Sequence, residues 1–485
     1  MLDFRPILTL MGLLLAALGL LMFVPVFYDL LALEGQGEWR AFGFSGMLTV
    51  FFGGLLYVSS YQKKLTLSVK QAFMLTALVW VVMAFFSSLP FMFSSLDLPL
   101  EKAYFEAMSG LTTTGATALT GLDNMSKDML LWRGLLHGLG GVGIIGLAIA
   151  VLPMLRIGGM QLFKTESSDK SEKLFSHHYQ IAVAIMAVYF VLIALCALTF
   201  YLLGMSGFDS FVHSMATIAT GGFGNYDSNF GYFRENASLI WAASFFMICG
   251  GLPLIWFISI LKQPKQAWIM SSQVRVYLMI IVALSTIIAS YAYVRDHGAF
   301  MDLFRESVFS VASIMTTTGF VVSDYTLWGP FVTGMFFMIL FIGGCSGSTS
   351  GGIKVFRFQI LWQVFVRQLR EAIYPSIVNT PKYEGRVIGE DTVRSVLSFV
   401  FMYVATFIVI GLLLQLTGLD FLTAFSGAAM AQANAGVGLG DVIGPAGNCA
   451  NLPVLAYWLL SIAMIIGRLE IFTLYVLFTP LFWKS

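Results

Sequence analysis

Ser-Gly-Leu-Thr-Thr-Thr-Gly-Ala-Thr at 109–117 returns three more times in altered form. The later copies read Ala-Thr-Ile-Ala-Thr-Gly-Gly-Phe-Gly (216–224), Ser-Ile-Met-Thr-Thr-Thr-Gly-Phe (313–320) and Ala-Gln-Ala-Asn-Ala-Gly-Val-Gly (431–438). They align on one glycine each, Gly115, Gly222, Gly319 and Gly436, at steps of 107, 97 and 117 residues. An apolar run precedes and follows every copy, so one unit has been repeated four times: apolar span, short polar stretch, apolar span. Irregular backbone at membrane depth is tolerated only where protein buries it or where it lines a watery cavity. Four such loops around one axis make a ring of carbonyl oxygens, the device that replaces the water shell of K⁺ in a selectivity filter. The pattern points to an ion pathway.

Composition agrees. The 485-residue chain is 58% hydrophobic and 11% charged, with a mean hydropathy of +0.84. Those values lie outside the soluble range. Apolar runs long enough to cross a bilayer recur throughout. The first, about 7–27, follows Arg5 but is too long for a signal peptide and leads into a second span, so it reads as a retained helix. The expected spans are a leading pair at 7–30 and 41–60, then 70–95 and 129–155 around a short helix at 101–111. They continue with 179–204 and 237–262 around 208–218, and 275–294 and 330–371, interrupted after 343, around 302–315. The last pair is 394–417 and 452–480 around 420–432. This predicts an all-α integral membrane protein with ten crossings. It divides into a leading helix pair (1–66) and four pore repeats (67–165, 166–268, 269–375, 376–485) with internal pseudo-four-fold symmetry.

Each short helix opens with an acid, Glu101, Asp209, Asp302 or Asp420. Acids favour a helix N-terminus, and the partially negative C-terminal end is then aimed at the polar loop. Charge fixes the orientation. The loops around Lys63–Lys70, Arg156–His178, Lys262–Arg275 and Lys354–Arg394, with both termini, carry 19 Lys/Arg and 8 Asp/Glu, a net of +11. The opposite side carries 7 and 17, a net of −10, leaving Arg468 and Glu470 within the membrane. The positive side is cytoplasmic, and the acidic outer mouth concentrates cations. Nothing supports nucleic-acid binding.

Cys196, Cys249, Cys345 and Cys449 lack CxxC spacing and read as reduced small hydrophobes. His177-His178 sits among charges and reads as a solvated loop, not a metal site. The second spans carry Gly140-Gly141, Gly250-Gly251 and Gly343-Gly344, and repeat four has Gly467-Arg468 at the matching place. A lone arginine at mid-membrane is costly unless it meets water or a partner. Glu470 points to another face of the same helix. Arg468 is therefore expected below the polar loops as a cationic barrier, or else in an ion pair with another helix. The run Gly343-Gly-Cys-Ser-Gly-Ser-Thr-Ser-Gly-Gly352 cannot continue a helix. Its unwound residues, Gly344, Cys345, Ser346, Gly347, Ser348, Thr349, Ser350, Gly351 and Gly352, are the candidate gate.

At this spacing the chain resembles the Trk/Ktr/HKT superfamily of K⁺ transport proteins, and within it the bacterial TrkH subunits, over its whole length. The resemblance implies that each repeat is a degenerate K⁺-channel unit with one persistent filter glycine, which permits a strained backbone. Carried onto these positions, the filter carbonyls come from Thr113, Thr114, Gly115 and Ala116; Thr220, Gly221, Gly222 and Phe223; Thr317, Thr318, Gly319 and Phe320; and Asn434, Ala435, Gly436 and Val437. Glycine, not serine, at 115 favours K⁺ over Na⁺, with Rb⁺ a second expected permeant ion. The resemblance also implies a flow-limiting loop at 344–352, a pore role for Arg468, a homodimer, and a cytosolic TrkA-like ring as the only nucleotide-binding part. No cofactor beyond K⁺ in the pore is expected. Lys354–Arg394 is a candidate docking surface, and the bacterial inner membrane the expected location.

Two other readings stand beside this one. A symporter coupled to H⁺ or Na⁺ would usually show inverted repeats and midplane carboxylates, whereas these repeats all run the same way. A membrane-embedded serine hydrolase would use Gly344-Cys-Ser-Gly347, with Ser346 as nucleophile and His137 as base. Gly141–Gly146 matches GxGxxG inside an apolar span, and Gly347–Lys354 resembles a P-loop with Ile353 where lysine belongs. Both are accidental.

Overall fold

The computed structural model describes residues 3–32, 37–62, 67–150, 178–374, 382–384, 386–469 and 471–483. They form a helical protein: α1 (Arg5–Leu21), α2 (Phe23–Ala32), α3 (Trp39–Ser60), α4 (Val69–Phe93), α5 (Leu100–Leu111) and α6 (Lys127–Ala150). These are followed by α7 (His178–Leu202), α8 (Gly207–Ile218), α9 (Ala237–Gly250), α10 (Leu254–Lys262), α11 (Pro264–Met270), α12 (Ser272–Val294) and α13 (Phe300–Met315). After the interruption around α14 (Pro330–Ile339) and α15 (Val355–Ile373), the chain continues as α16 (Glu390–Gln415), α17 (Phe421–Ala433), α18 (Gly440–Ile443), α19 (Val454–Arg468) and α20 (Ile471–Tyr475). A pair of two-residue strands, β1 (Lys382–Tyr383) antiparallel to β2 (Arg386–Val387), and one isolated bridge, Ile342 with Ile353, are the departures from all-α among the described residues.

The short helices α5, α8, α13 and α17 stand where the sequence placed them. Two of them, α8 and α17, start on a side-chain cap, whereas α5 and α13 carry only an acid in the first turn. Ser206 Oγ accepts from the Asp209 amide at 3.0 Å and donates to its carboxylate at 2.7 Å. Asp420 caps α17 by accepting from the Thr423 amide at 3.1 Å. Its bonds to Thr423 hold the Asp420 carboxyl below its ordinary value. Asp420→Ala should cost about 1 kcal/mol of stability at neutral pH, and asparagine should be nearly neutral. The charge-dependent part is full above about pH 4 and fades as pH falls through the lowered value. Thermal unfolding of both variants in detergent across that range checks the sign.

Two expected spans are corrected. Residues 237–262 form two helices, α9 and α10, at 94° to each other. The break is Gly250-Gly251-Leu252-Pro253, where two glycines meet a residue that cannot donate an amide bond. Residues 452–480 likewise form a bent pair, α19 and the chain from Ile471. Among the described residues six helices can cross a membrane singly, and the bent pairs bring the number to eight. The other two expected crossings are 129–155, whose helix α6 runs into the undescribed 151–177, and 330–371, interrupted after α14. Glu470, His177 and most of the loop Arg156–His178 also lie outside the described residues.

The leading helices α1 and α3 pack backbone to backbone. A methyl at Gly12 would come within 2.6 Å of the Gly53 carbonyl, and one at Gly53 equally near the Ala16 amide. Small residues in this register let membrane helices approach closely. Three larger buried cores hold the helices together: one joins α1 and α3–α6 to α16, α17 and α19, one joins α12–α14 to α17, and one joins α7–α9 to α13.

Candidate functional site

All four short helices end in the same way. Thr113, Thr220, Thr317 and Asn434 adopt the left-handed conformation, with φ of 50°, 53°, 59° and 57°. Their amides bond back three residues, to Gly110, Thr217, Ile314 and Ala431, and the next amides bond back five, to Ser109, Ala216, Ser313 and Met430. This is the bond pattern of a Schellman C-cap, in which glycine usually occupies the left-handed position. Three β-branched threonines there are strained by about 1–3 kcal/mol each, the kind of cost that collects at functional sites. Two residues on, Gly115, Gly222, Gly319 and Gly436 are also left-handed, with φ of 87°, 83°, 81° and 75°.

These glycines close a ring. A methyl on Gly115 would overlap the carbonyl oxygen of Gly221, and one on Gly222 that of Thr318. A methyl on Gly319 would overlap the carbonyl of Ala435, and one on Gly436 that of Thr114, which returns to the first loop. All four separations fall below 3.0 Å, a distance real Cβ atoms do not reach. Each loop thus lays its glycine against the peptide oxygen before the next loop's glycine. One cavity is lined by Gly115, Gly319 and Gly436 together with Phe223, Gly224, Arg133, Asp227 and Asn229.

The left-handed residues that lead into the ring are held in turn. Arg468 Nη2 donates to Thr113 Oγ1 at 2.6 Å. Thr220 Oγ1 donates to Thr349 Oγ1 at 3.4 Å, and Thr317 Oγ1 accepts from the Gly351 amide at 2.7 Å. Asn434 donates to Thr114 Oγ1 and to the Met464 carbonyl, both at 3.0 Å. So three of the four left-handed residues are held by Arg468 or by the Gly/Ser-rich segment. Arg468 is buried, its Nε lacks a partner, and it forms no ion pair among the described residues.

Residues 344–352 are indeed unwound, and they are tied at many points. Cys345 N–H donates to the Gly251 carbonyl at 2.9 Å, and Leu254 N–H to that of Gly347 at 3.1 Å. Thr349 Oγ1 reaches the carbonyls of Ile218 and Gly250 at 2.9 and 3.1 Å. Ser346 N–H donates to Gln273 at 3.0 Å, Ser348 and Ser350 share a 2.8 Å bond, and Lys354 donates to the Ser350 carbonyl. The base of the loop is closed by a parallel bridge between Ile342 and Ile353. Gly344, Gly347 and Gly352 complete this segment, with Gly347 and Gly352 in left-handed conformations. The loop thus doubles as a cap for the break between α9 and α10.

Other partners behind the ring escaped the sequence reading. Glu106 and Arg133, counted with the acidic mouth from sequence, are buried as an ion pair at 3.0 Å. Asn229 donates to the Gly222 carbonyl at 3.2 Å and accepts from the Val321 amide at 3.3 Å, bridging loops two and three. Ser313 Oγ donates to the Phe320 carbonyl at 2.7 Å, which turns that carbonyl toward α13. The signal for Arg133 was present: an arginine four residues into the apolar span that begins at Met129. His137 stacks on Phe223 with ring centroids 4.3 Å apart, away from the partners of Ser346.

Comparison with known proteins bears on this geometry. The TrkH family model, described as a cation transport protein, matches residues 40–484. A Trk system potassium uptake protein, TrkI of Halomonas elongata, is 41% identical over 480 residues, covering 99% of this chain and 97% of its own. The TrkH of Escherichia coli is 35% identical over 489 residues, covering all of both chains. The crystal structure of the potassium transporter TrkH from Vibrio parahaemolyticus superposes with a TM-score of 0.91 at 32% identity, again over the whole of both chains.

Proposed function

The chain belongs to the TrkH family of cation transport proteins, and on that premise we propose that it carries K⁺ into the cell through the glycine ring. Trk proteins are transporters, not enzymes, so the hydrolase reading of Ser346 is set aside. The observation that carries the proposal is the closed sequence of glycine-to-carbonyl contacts from loop one through loop four and back. Such a closed sequence supports four loops around one axis, and the proposal is that their peptide oxygens face that axis. The peptide groups that would order the ion are Thr113–Ala116, Thr220–Phe223, Thr317–Phe320 and Asn434–Val437, among which the Gly222 and Phe320 carbonyls also accept from Asn229 and Ser313. Replacing the ion's water by carbonyl dipoles in this way is how such filters select. The C-terminal ends of α5, α8, α13 and α17 add four partial negative charges.

The same reading makes the filter pseudo-four-fold and gives Rb⁺ passage alongside K⁺. It places the filter mouth outward in the bacterial inner membrane, since the positive loops lie on the other side. Arg468 and the loop at 344–352 form the barrier beneath. A homodimer and a cytosolic TrkA-like ring docked at Lys354–Arg394 complete the assembly.

Gly115→Ser tests the filter. The side chain would be forced against the Gly221 carbonyl from a backbone at φ 87°, displacing oxygens that measure the ion. Na⁺ permeability relative to K⁺ should rise about tenfold, an energy change of ~1.4 kcal/mol. Bi-ionic reversal potentials of purified protein in planar bilayers give the ratio. An unchanged ratio in folded protein would remove Gly115 from the filter.

A further inference from the structure

We propose that Glu106 and Arg133 form a selectivity-determining strut that sets the spacing of the first two filter loops. The inference rests on the reading of those loops as the filter. The two side chains are 0% and 1% exposed, and Arg133 Nε donates to Glu106 Oε1 at 3.0 Å. Burying such a pair costs most of what its attraction returns, so stability alone does not explain it. Its remaining bonds do. Glu106, on α5, accepts from Thr117 Oγ1 at 3.0 and 3.1 Å and from the Ala118 amide at 2.9 Å, where loop one leaves the ring. Arg133, on α6, donates through Nη1 to the Gly224 carbonyl at 2.7 Å, where loop two leaves it. Its guanidinium also lies over the Phe223 ring, 4.2 Å from the centroid.

One carboxylate and one guanidinium therefore join the exits of two different filter loops through rigid, charge-assisted bonds. Loop four makes a comparable bond within itself, from the Leu439 amide to Ser426 at 2.9 Å, but that bond reaches no neighbour. The strut joins the residues that follow Gly115 and Gly222, and the approach of Gly115 to the Gly221 carbonyl is the one side of the ring formed by loops one and two. It is a positioning pair. It touches no ion, and it fixes how far apart the oxygens of loops one and two stand.

The test compares wild type, Glu106→Gln and the neutral double variant Glu106→Gln/Arg133→Gln. Full-length purified protein is used in planar bilayers, with thermal unfolding measured alongside. Glu106→Gln leaves a buried guanidinium unpaired. It should lower K⁺ flux and the K⁺/Na⁺ permeability ratio, the ratio by about tenfold, the scale of one lost charged hydrogen bond. The double variant removes the unpaired charge but not the loss of the strut. Its unfolding temperature should return toward wild type while the permeability ratio stays low. If Glu106→Gln does not fold, the double variant decides alone. A folded double variant with the wild-type ratio would overturn the strut. A wild-type protein that does not distinguish K⁺ from Na⁺ would instead overturn the filter on which it rests, so the two failures are distinguishable.

Discussion

Arg468→Ala should raise K⁺ flux about thirtyfold. The guanidinium is buried and donates to Thr113, two residues before Gly115, and the proposal puts it in the ion's path. A permeating cation passing within ~8 Å of it at an effective dielectric of ~20 meets a repulsion of ~2 kcal/mol. Each ~1.4 kcal/mol removed from a barrier is worth tenfold in rate. Arg468→Lys keeps the charge and should keep most of the barrier, though not the reach to Thr113 Oγ1 in the same geometry. The competing account is a structural ion pair. It expects alanine to strand a carboxylate and so lower stability and flux together. Liposome flux measured beside thermal stability separates the two: stable protein with enhanced flux supports the pore role, and unstable protein with reduced flux contradicts it.

Removing residues 345–350 should raise flux at least tenfold as well, by opening the path that the segment fills. The structure makes such a deletion feasible. Gly343 already lies against Gly351 and Gly352, and the Ile342–Ile353 bridge closes the base without the tip. The tip's bonds are lost, among them Thr349 to the Ile218 and Gly250 carbonyls and Leu254 N–H to Gly347. Several kcal/mol of stability will go with them, since each net bond is worth about 1 kcal/mol. Flux must therefore be read per folded protein. Equal or lower flux per folded molecule would mean that the segment only packs helices. Because Thr220 and Thr317 bond to this segment, its displacement would also free two residues held at positive φ, so the proposed gate would act on the proposed filter directly.

What could be read from sequence was what absence of a side chain marks. Gly115, Gly222, Gly319 and Gly436 stood out because a missing Cβ at a fixed spacing is visible without a structure. The short helices were legible for a similar reason, since their acidic starts and apolar flanks are local. The left-handed threonines were not legible. A β-branched residue at positive φ runs against its own propensity, so only the fold, which holds Thr113, Thr220 and Thr317 from below, reveals it. Glu106 and Arg133 looked like two more charges at the outer mouth, because their pairing joins residues on different helices. Asn229 was hidden likewise: its bond to the Gly222 carbonyl depends on a turn that composition does not specify. The break at Gly250-Gly251-Leu252-Pro253 was readable in principle, as proline after two glycines ends a helix, yet the apolar run through it suggested continuity.

The most direct test of the account is the reversal potential of the purified protein in planar bilayers, with K⁺, Na⁺ and H⁺ gradients imposed separately. A passive, K⁺-selective ring predicts a shift of about 59 mV per tenfold K⁺ gradient, the value for one charge per ion, with little response to the other two. A potential that follows the Na⁺ or H⁺ gradient as closely as that of K⁺ would contradict it.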